Sequence, residues 1–439
     1  MKFLFKVGLV FLIVFNFVVP VVHYSCALAV IIAVLYYLFI KKSFPFTYFF
    51  SRYCFTILVG TLLLVLVELF FIALHGNLGT GFIDRYLVQG WMMLCLVIVL
   101  PILIEKEETC FNEALVVICG AFALQGFIHT LGFLIPSVGD FILNYQGRMV
   151  TGQELNYFRA YSLTGAPFFD LPSAYGVACI AFFRLQLIPD QNYLRGWKAF
   201  VVMFFILAGI VLSGRTGFIG FFMGLFFYII YNWIQFIKIV KNVLKISVGF
   251  MCLLAVFYTL LTPQQQKKIT DNVFPFAFEA YYSWRDTGKF TTGSTSAMEE
   301  VHYYPLSAKT IIWGEGGRSR DFAPTFTPTD AGYMEHILIG GVFYFLALIL
   351  YQFVYAWEPM KMAKRERSEN GNINYFFFFL LFAHMFILEI KGSAIGTIHI
   401  IEVLLLYIGI SYLAERYAME DTVEEIASSQ KKLSKSALI

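Results

Sequence analysis

Charge is what this chain has least of. Only 14% of its 439 residues are charged, against about 25% in an average soluble domain, while 59% are hydrophobic and mean hydropathy is +0.72. A chain so poor in polar side chains cannot cover two or three domains in water, so a soluble multidomain enzyme is excluded. The net charge of +3, with basic residues dispersed between apolar runs, leaves no patch for a nucleic-acid partner. Thiol chemistry is missing as well: Cys26, Cys54, Cys95, Cys110, Cys119, Cys179 and Cys252 all lie in or beside apolar runs, without a CxxC pair. No HExxH or other paired metal spacing occurs, and neither GxxxxGK[ST] nor GxGxxG is present. No metal and no other cofactor is therefore expected, and ATP-driven transport by this chain alone is disfavoured.

What is present is a succession of apolar windows, at about 4–22, 24–40, 53–74, 86–104, 112–136, 171–188, 197–213, 216–236, 245–262, 331–356, 375–391 and 397–414. A helix crossing the hydrocarbon needs about 20 residues. The expected fold is all-α, a polytopic membrane bundle of about twelve helices. The N-terminal run MKFLFKVGLVFLIVFNFVVPVV lacks a small-residue cleavage site and reads as a first span. Placing the N-terminus inside leaves 20 of the 32 Lys and Arg residues on the cytoplasmic side and only five in short outer loops, as positively charged loops require. The expected organisation is helices one to nine in 1–262 with an outer loop at 137–170, a large extracytoplasmic loop at 263–330, helices ten to twelve in 331–414 and a cytoplasmic tail at 415–439.

Ionisable groups are costly inside a membrane, and here they favour one side. Under this topology Glu68, His129, Glu335, His336, Glu389, Lys391, His399 and Glu402 all fall toward the outer ends of their helices, with His384 alone near mid-span. Their collective placement points to a hydrated cavity open to the outer face, where a through-membrane ion path would need polar steps across the whole thickness. Three arginines stand beside it: Arg148 and Arg159 in the outer loop, and Arg215 in the tight reversal SGRTG. A guanidinium fork suits diphosphate oxygens, although Arg215 also fits a lipid headgroup or a helix-end cap. Asp330, in FTPTDAGYMEHILIGG, reads either as a helix N-cap or as a carboxylate available as general base. His336 and Glu335 follow within two turns as base or substrate clamp, and Arg318 in IIWGEGGRSRD as a further phosphate contact.

The segments FRAYSLTGAP, SGRTGFIGFFMG, IIWGEGG and TDAGYMEHILIGGVFYF, the third closing a long outer loop and the last entering the next helix, resemble the O-antigen polymerase and ligase superfamily, in particular the Wzy-type O-antigen polymerases. The resemblance covers the arrangement of most of the chain, through short and degenerate motifs. Ligases typically begin the helix corresponding to the tenth span with a histidine–asparagine pair; Thr329-Asp330 stands there instead, which favours a polymerase. The resemblance implies a glycosyltransferase at the periplasmic face of the bacterial inner membrane, joining oligosaccharide repeat units carried on undecaprenyl diphosphate. A polysaccharide chain-length regulator and membrane lipids would be its other partners. In that reading Arg215, with Arg159 and Arg148, stabilises the departing diphosphate, and Asp330, or else His336, accepts the proton of the acceptor hydroxyl. An O-antigen ligase, a flippase or other transporter, and a non-catalytic scaffold are the competing readings.

Overall fold

The computed structural model describes the chain apart from residues 1, 21, 42–47, 49–50, 77–80, 106, 148–156, 189–193, 236, 238–240, 242–257, 260, 319–328, 367 and 437–439. Arg148 and most of the expected ninth span at 245–262 thus lie outside the described residues. Among the described residues, nine helices precede the long loop: α1 (Lys2–Phe15), α2 (Ser25–Tyr36), α3 (Arg52–His75), α4 (Ile83–Leu103), α5 (Cys110–Leu134), α6 (Pro136–Tyr145), α7 (Asp170–Leu187), α8 (Trp197–Ser213) and α9 (Gly217–Tyr231). The loop itself holds α10 (Pro263–Lys268), α11 (Phe274–Ala277), α12 (Glu279–Thr287), α13 (Gly293–Ala297) and α14 (Ala308–Trp313). Three long helices follow: α15 (Gly332–Arg365), α16 (Glu369–Glu389) and α17 (His399–Ser436). Among the described residues, five helices (α3, α4, α5, α15 and α16) are long and apolar enough to cross a membrane.

Two helices form the axis of an all-α bundle. Every residue of α7 from 171 to 185 and of α17 from 400 to 413 is buried. The surrounding helices turn large apolar side chains outward, among them Leu62 and Leu66 of α3, Phe222 and Phe226 of α9 and Leu350 of α15. An apolar exterior around a packed interior is the expected order for a bundle solvated by lipid. Glycine sets the closest approach: a Cβ at Gly220 of α9 would overlap the backbone of Gly176 in α7. Without a strong hydrophobic drive between helices in lipid, such small-residue contact supplies the attraction.

The first expected span is shorter than its apolar run. After α1 ends at Phe15, Asn16 takes a left-handed φ of 38°, and Val18–Val19 pairs with His23–Tyr24 as an antiparallel two-stranded hairpin. The last carbonyls of a helix need donors from elsewhere, and the SLTGAP segment provides them. The Gly165 N–H donates to Phe15 O at 2.8 Å and Thr164 Oγ1 to the same oxygen at 3.1 Å. The fifth span likewise stops at Leu134, because Ile135 precedes proline and is held extended. At the other extreme α17 continues unbroken to Ser436, so the expected tail starts as helix.

The tenth span is the clearest departure. It is not one helix: at Gly340 and Gly341 the backbone leaves helical geometry, with Gly341 at φ 62° and ψ −158°. Only glycine adopts that conformation readily. The break frees the carbonyls of Leu338 and Ile339, which take N–H donors from Glu315 at 2.6 Å and Gly316 at 3.0 Å. The WGEGG turn is therefore the piece that seals a discontinuous helix, a backbone arrangement tolerated at membrane depth only where protein satisfies it.

Candidate functional site

Two polar clusters lie at the end of the bundle opposite the N-terminus, one on each side of the loop 390–398. The first is cationic. Helix α8 ends at Ser213 and α9 begins at Gly217, leaving Arg215 in the reversal between them. Arg159, in the 3-10 segment Tyr157–Tyr161, donates Nε to Ser213 O at 2.6 Å and Nη2 to Phe168 O at 3.2 Å, which fastens it to the same reversal. Phe276 of α11 joins the two arginines: its ring centroid is 5.4 Å from the Arg159 guanidinium carbon and 4.9 Å from that of Arg215. Phe168 covers Arg159 from another side at 5.3 Å.

One carboxylate enters this cluster. Glu279, the first residue of α12, pairs with Arg215 at 2.5 Å and accepts the Gly293 N–H at 2.7 Å. Lys391, just beyond α16, feels Arg215 and Arg159 as like charges and Glu279 as the opposite one. Burial presses its ammonium below the ordinary lysine range, and the Arg215 charge adds to that. Burial likewise pulls the Arg159 guanidinium down to about 10, with Arg215 contributing, which leaves it a cation at neutral pH. Among the described residues, three cations thus share a single acidic partner. Their like charges therefore repel one another.

The second cluster is acidic and sealed. Glu389, the last residue of α16, accepts the N–H groups of Ala394 at 2.8 Å and Ile395 at 2.7 Å, and its other oxygen meets His336 Nε2 at 2.7 Å. The side chains of both partners are fully buried. Ser393 Oγ donates to Glu335. Across the Phe82 ring, 5.4 Å from that of His336, Glu68 accepts the Phe82 N–H and, at 3.3 Å, the Tyr344 hydroxyl, which contacts Tyr86 at 2.5 Å. Arg318 lies over the other approach to Phe82, at 4.8 Å from its centroid.

The expected outer carboxylates do gather, but they do not line open space. Glu68, Glu335, Glu389 and Glu402 are all buried, and each is taken up by hydroxyls or backbone N–H groups at helix ends and turns. Among the described residues these carboxylates form a buried polar seam. The physical reason is local: turns and breaks inside an apolar bundle expose N–H groups that only an acceptor from the bundle itself can satisfy. His384 is similar in kind, its Nε2 lying 3.1 Å from Ser173 O.

Asp330 remains exposed, at the outer edge of the same end. It is not the cap of α15, a position held by Ala331 without a side-chain bond. Its N–H donates to His302 Nδ1 at 3.0 Å, and Thr329 Oγ1 donates to His302 O at 2.9 Å, so the long loop orients this junction. Of the residues singled out from sequence, Arg215 and Arg159 come together on one ring. Glu335 and His336 join the buried cluster, Arg318 borders it, and Asp330 stands apart from both.

Several members carried no sequence signal. Phe276 and Glu279 sit in a polar-aromatic stretch of the long loop that matches no motif. Arg184 was hidden near the end of an apolar run, yet it is fully buried, bonded to Asn374 Oδ1 from Nε at 3.2 Å and Nη2 at 2.8 Å, and to Asn112 Oδ1. Lys6, also buried, pairs with Glu113 at 2.8 Å. No family model matches the chain, and no curated protein or solved structure is similar to it.

Proposed function

We propose that this chain is a membrane glycosyltransferase, a surface-polysaccharide polymerase that joins lipid-diphosphate-linked oligosaccharide repeat units at the extracytoplasmic face of a bacterial inner membrane. The observation that carries this reading is the convergence of Arg159 and Arg215 on the Phe276 ring, with Lys391 within their field and, among the described residues, Glu279 as the one carboxylate that balances them. A diphosphate leaving group is already an anion and needs charge stabilisation more than a proton, so preorganised cations in a water-poor pocket are the chemistry required. In this mechanism Arg215 and Arg159 bind the diphosphate oxygens and Lys391 adds a third charge. Phe276 sets the spacing of the two forks. The bond between the donor sugar and its diphosphate breaks as the acceptor hydroxyl attacks, and the base proposed for the hydroxyl proton is Asp330, outside the cluster but bonded to His302, whose neighbour Tyr303 reaches Ile390 beside Lys391. Glu279, paired with Arg215, gives way to the substrate.

A transporter is the second reading, favoured by the hydroxyl network deeper in the bundle. There Tyr351 contacts Thr61 at 2.7 Å, Gln89 at 2.6 Å and Tyr355 at 2.7 Å. A lipopolysaccharide gel of a deletion strain, with lipid-linked intermediates extracted in parallel, separates the readings. Core bearing a single repeat unit is the polymerase outcome. Bare core with long polymer retained on the lipid carrier would indicate a ligase. Bare core with single units trapped inside would indicate a transporter and would overturn the roles given to the arginines.

A further inference from the structure

Among the described residues, two cavities at the end of the bundle that carries the N-terminus differ in charge balance. One, of about 520 Å³, is lined by Lys2, Lys6 and Lys41, but also by Glu105 and Glu107. There Glu105 lies 2.9 Å from Lys2 and 3.9 Å from Lys41, and Lys6 is neutralised by Glu113. The other, of about 650 Å³, has Lys361, Lys364 and Arg365 on its rim, Phe353, Trp357 and Met360 along its wall, and Tyr375 of α16 opposite. Among the described residues no acidic side chain lines it, and none of its three cations forms an ion pair.

We infer that this second cavity is a binding site for an anionic phospholipid of the surrounding leaflet, with the headgroup phosphate on Lys361, Lys364 and Arg365 and an acyl chain along Phe353 and Trp357. The helix C-terminus accounts for cations in the last turn of α15, since its dipole attracts positive charge. It does not account for a trough below them walled by aromatic rings, where Phe353 and Trp357 pack with centroids 5.1 Å apart. A charged rim over an apolar wall is complementary to a phospholipid and to nothing wholly water-soluble. Basic pockets between membrane helices recognise anionic headgroups in this way. The Trp357 side chain is half exposed, so it reports on the occupant directly.

The test uses the full chain reconstituted in vesicles containing either brominated phosphatidylglycerol or brominated phosphatidylcholine. Trp357 emission is isolated as the difference between the wild type and Trp357→Phe. Stronger quenching by the anionic lipid is expected, with a preference on the order of tenfold. Combined Lys361→Gln, Lys364→Gln and Arg365→Gln substitution should remove that excess while leaving quenching by phosphatidylcholine intact, which also reports that the variant is inserted. The charge-keeping pair Lys361→Arg and Lys364→Arg should retain the excess. Equal quenching by both lipids in the wild type, or an excess that survives the triple substitution, would overturn the inference. Reversal of the excess by inorganic phosphate would assign the cations to a free anion and overturn it too.

Discussion

Arg184 and the Arg159–Arg215 pair show two ways of placing guanidinium groups in one bundle. Arg184 lies fully buried between α5 and α16, its donors directed at two asparagine carbonyls and its plane 4.5 Å from the Phe111 centroid. Arg159 and Arg215 face each other across one phenylalanine, with a third cation near and a single carboxylate between them. The first arrangement is saturated by neutral acceptors and ties helices together. The second groups cations with one carboxylate among the described residues, although Arg159 also gives two donors to backbone carbonyls. Charge balance, rather than burial or hydrogen bonding alone, separates the two arrangements.

The largest expected effect falls on the unsaturated pair. Arg215→Ala and Arg159→Ala should each lower chain extension by on the order of 10²–10³-fold, read as the loss of long polymer on a gel at matched protein levels. Arg215→Lys should recover little, because an ammonium cannot reproduce the fork. Full-length polymer from a stably expressed Arg215→Ala strain would erase the distinction drawn above. Arg184→Ala should do the reverse: cost roughly 3 kcal/mol of stability through lost charged hydrogen bonds, while activity per folded molecule is kept. A detergent melting curve checks the first half, and polymer length normalised to folded protein checks the second.

Gly341→Ala comes next, at about 1–3 kcal/mol, since the residue requires φ 62° and its added Cβ would meet Ile312 O. A melting point equal to the wild type would mean that α15 is continuous after all.

Lys391 gives a pH signature with opposite signs for folding and binding. Its folded pKa lies below the unfolded value, so between the two the unfolded chain binds more protons and stability rises with pH. Affinity for a lipid-linked diphosphate should fall over the same window, below the ordinary lysine range, as the ammonium discharges. Lys391→Arg should flatten the binding curve, because a guanidinium keeps its proton there; a curve unchanged by that substitution would remove Lys391 from the site. The smallest effect belongs to Glu279→Gln, expected to tighten diphosphate binding by roughly two- to fivefold, the range of a partly exposed ion pair.

The apolar, membrane-type character and the positions of most long helices were legible along the chain, because hydropathy acts locally. The boundaries of α3, α4 and α7 follow the apolar windows within a few residues. The break in α15 was not legible as such. GG within an apolar run is compatible with a helix until a second segment brings N–H donors to the freed carbonyls, and those come from Glu315 and Gly316. The acidic seam was anticipated as an outward grouping but not as a sealed one, since the partners of Glu389 and Glu335 lie in the loop 390–398 and on another helix.

The sequence by itself determined that this is a helical membrane-type chain, where its long helices run and that its costly residues favour one end. Those properties are sums over consecutive side chains. The tertiary structure alone decided which charges are paired. It set Arg159 and Arg215 on the ring of Phe276, paired Arg215 with Glu279 and closed His336 onto Glu389. Electrostatic energy depends on distances through space, and residues 159, 215, 276 and 391 become neighbours only when the helices between them pack.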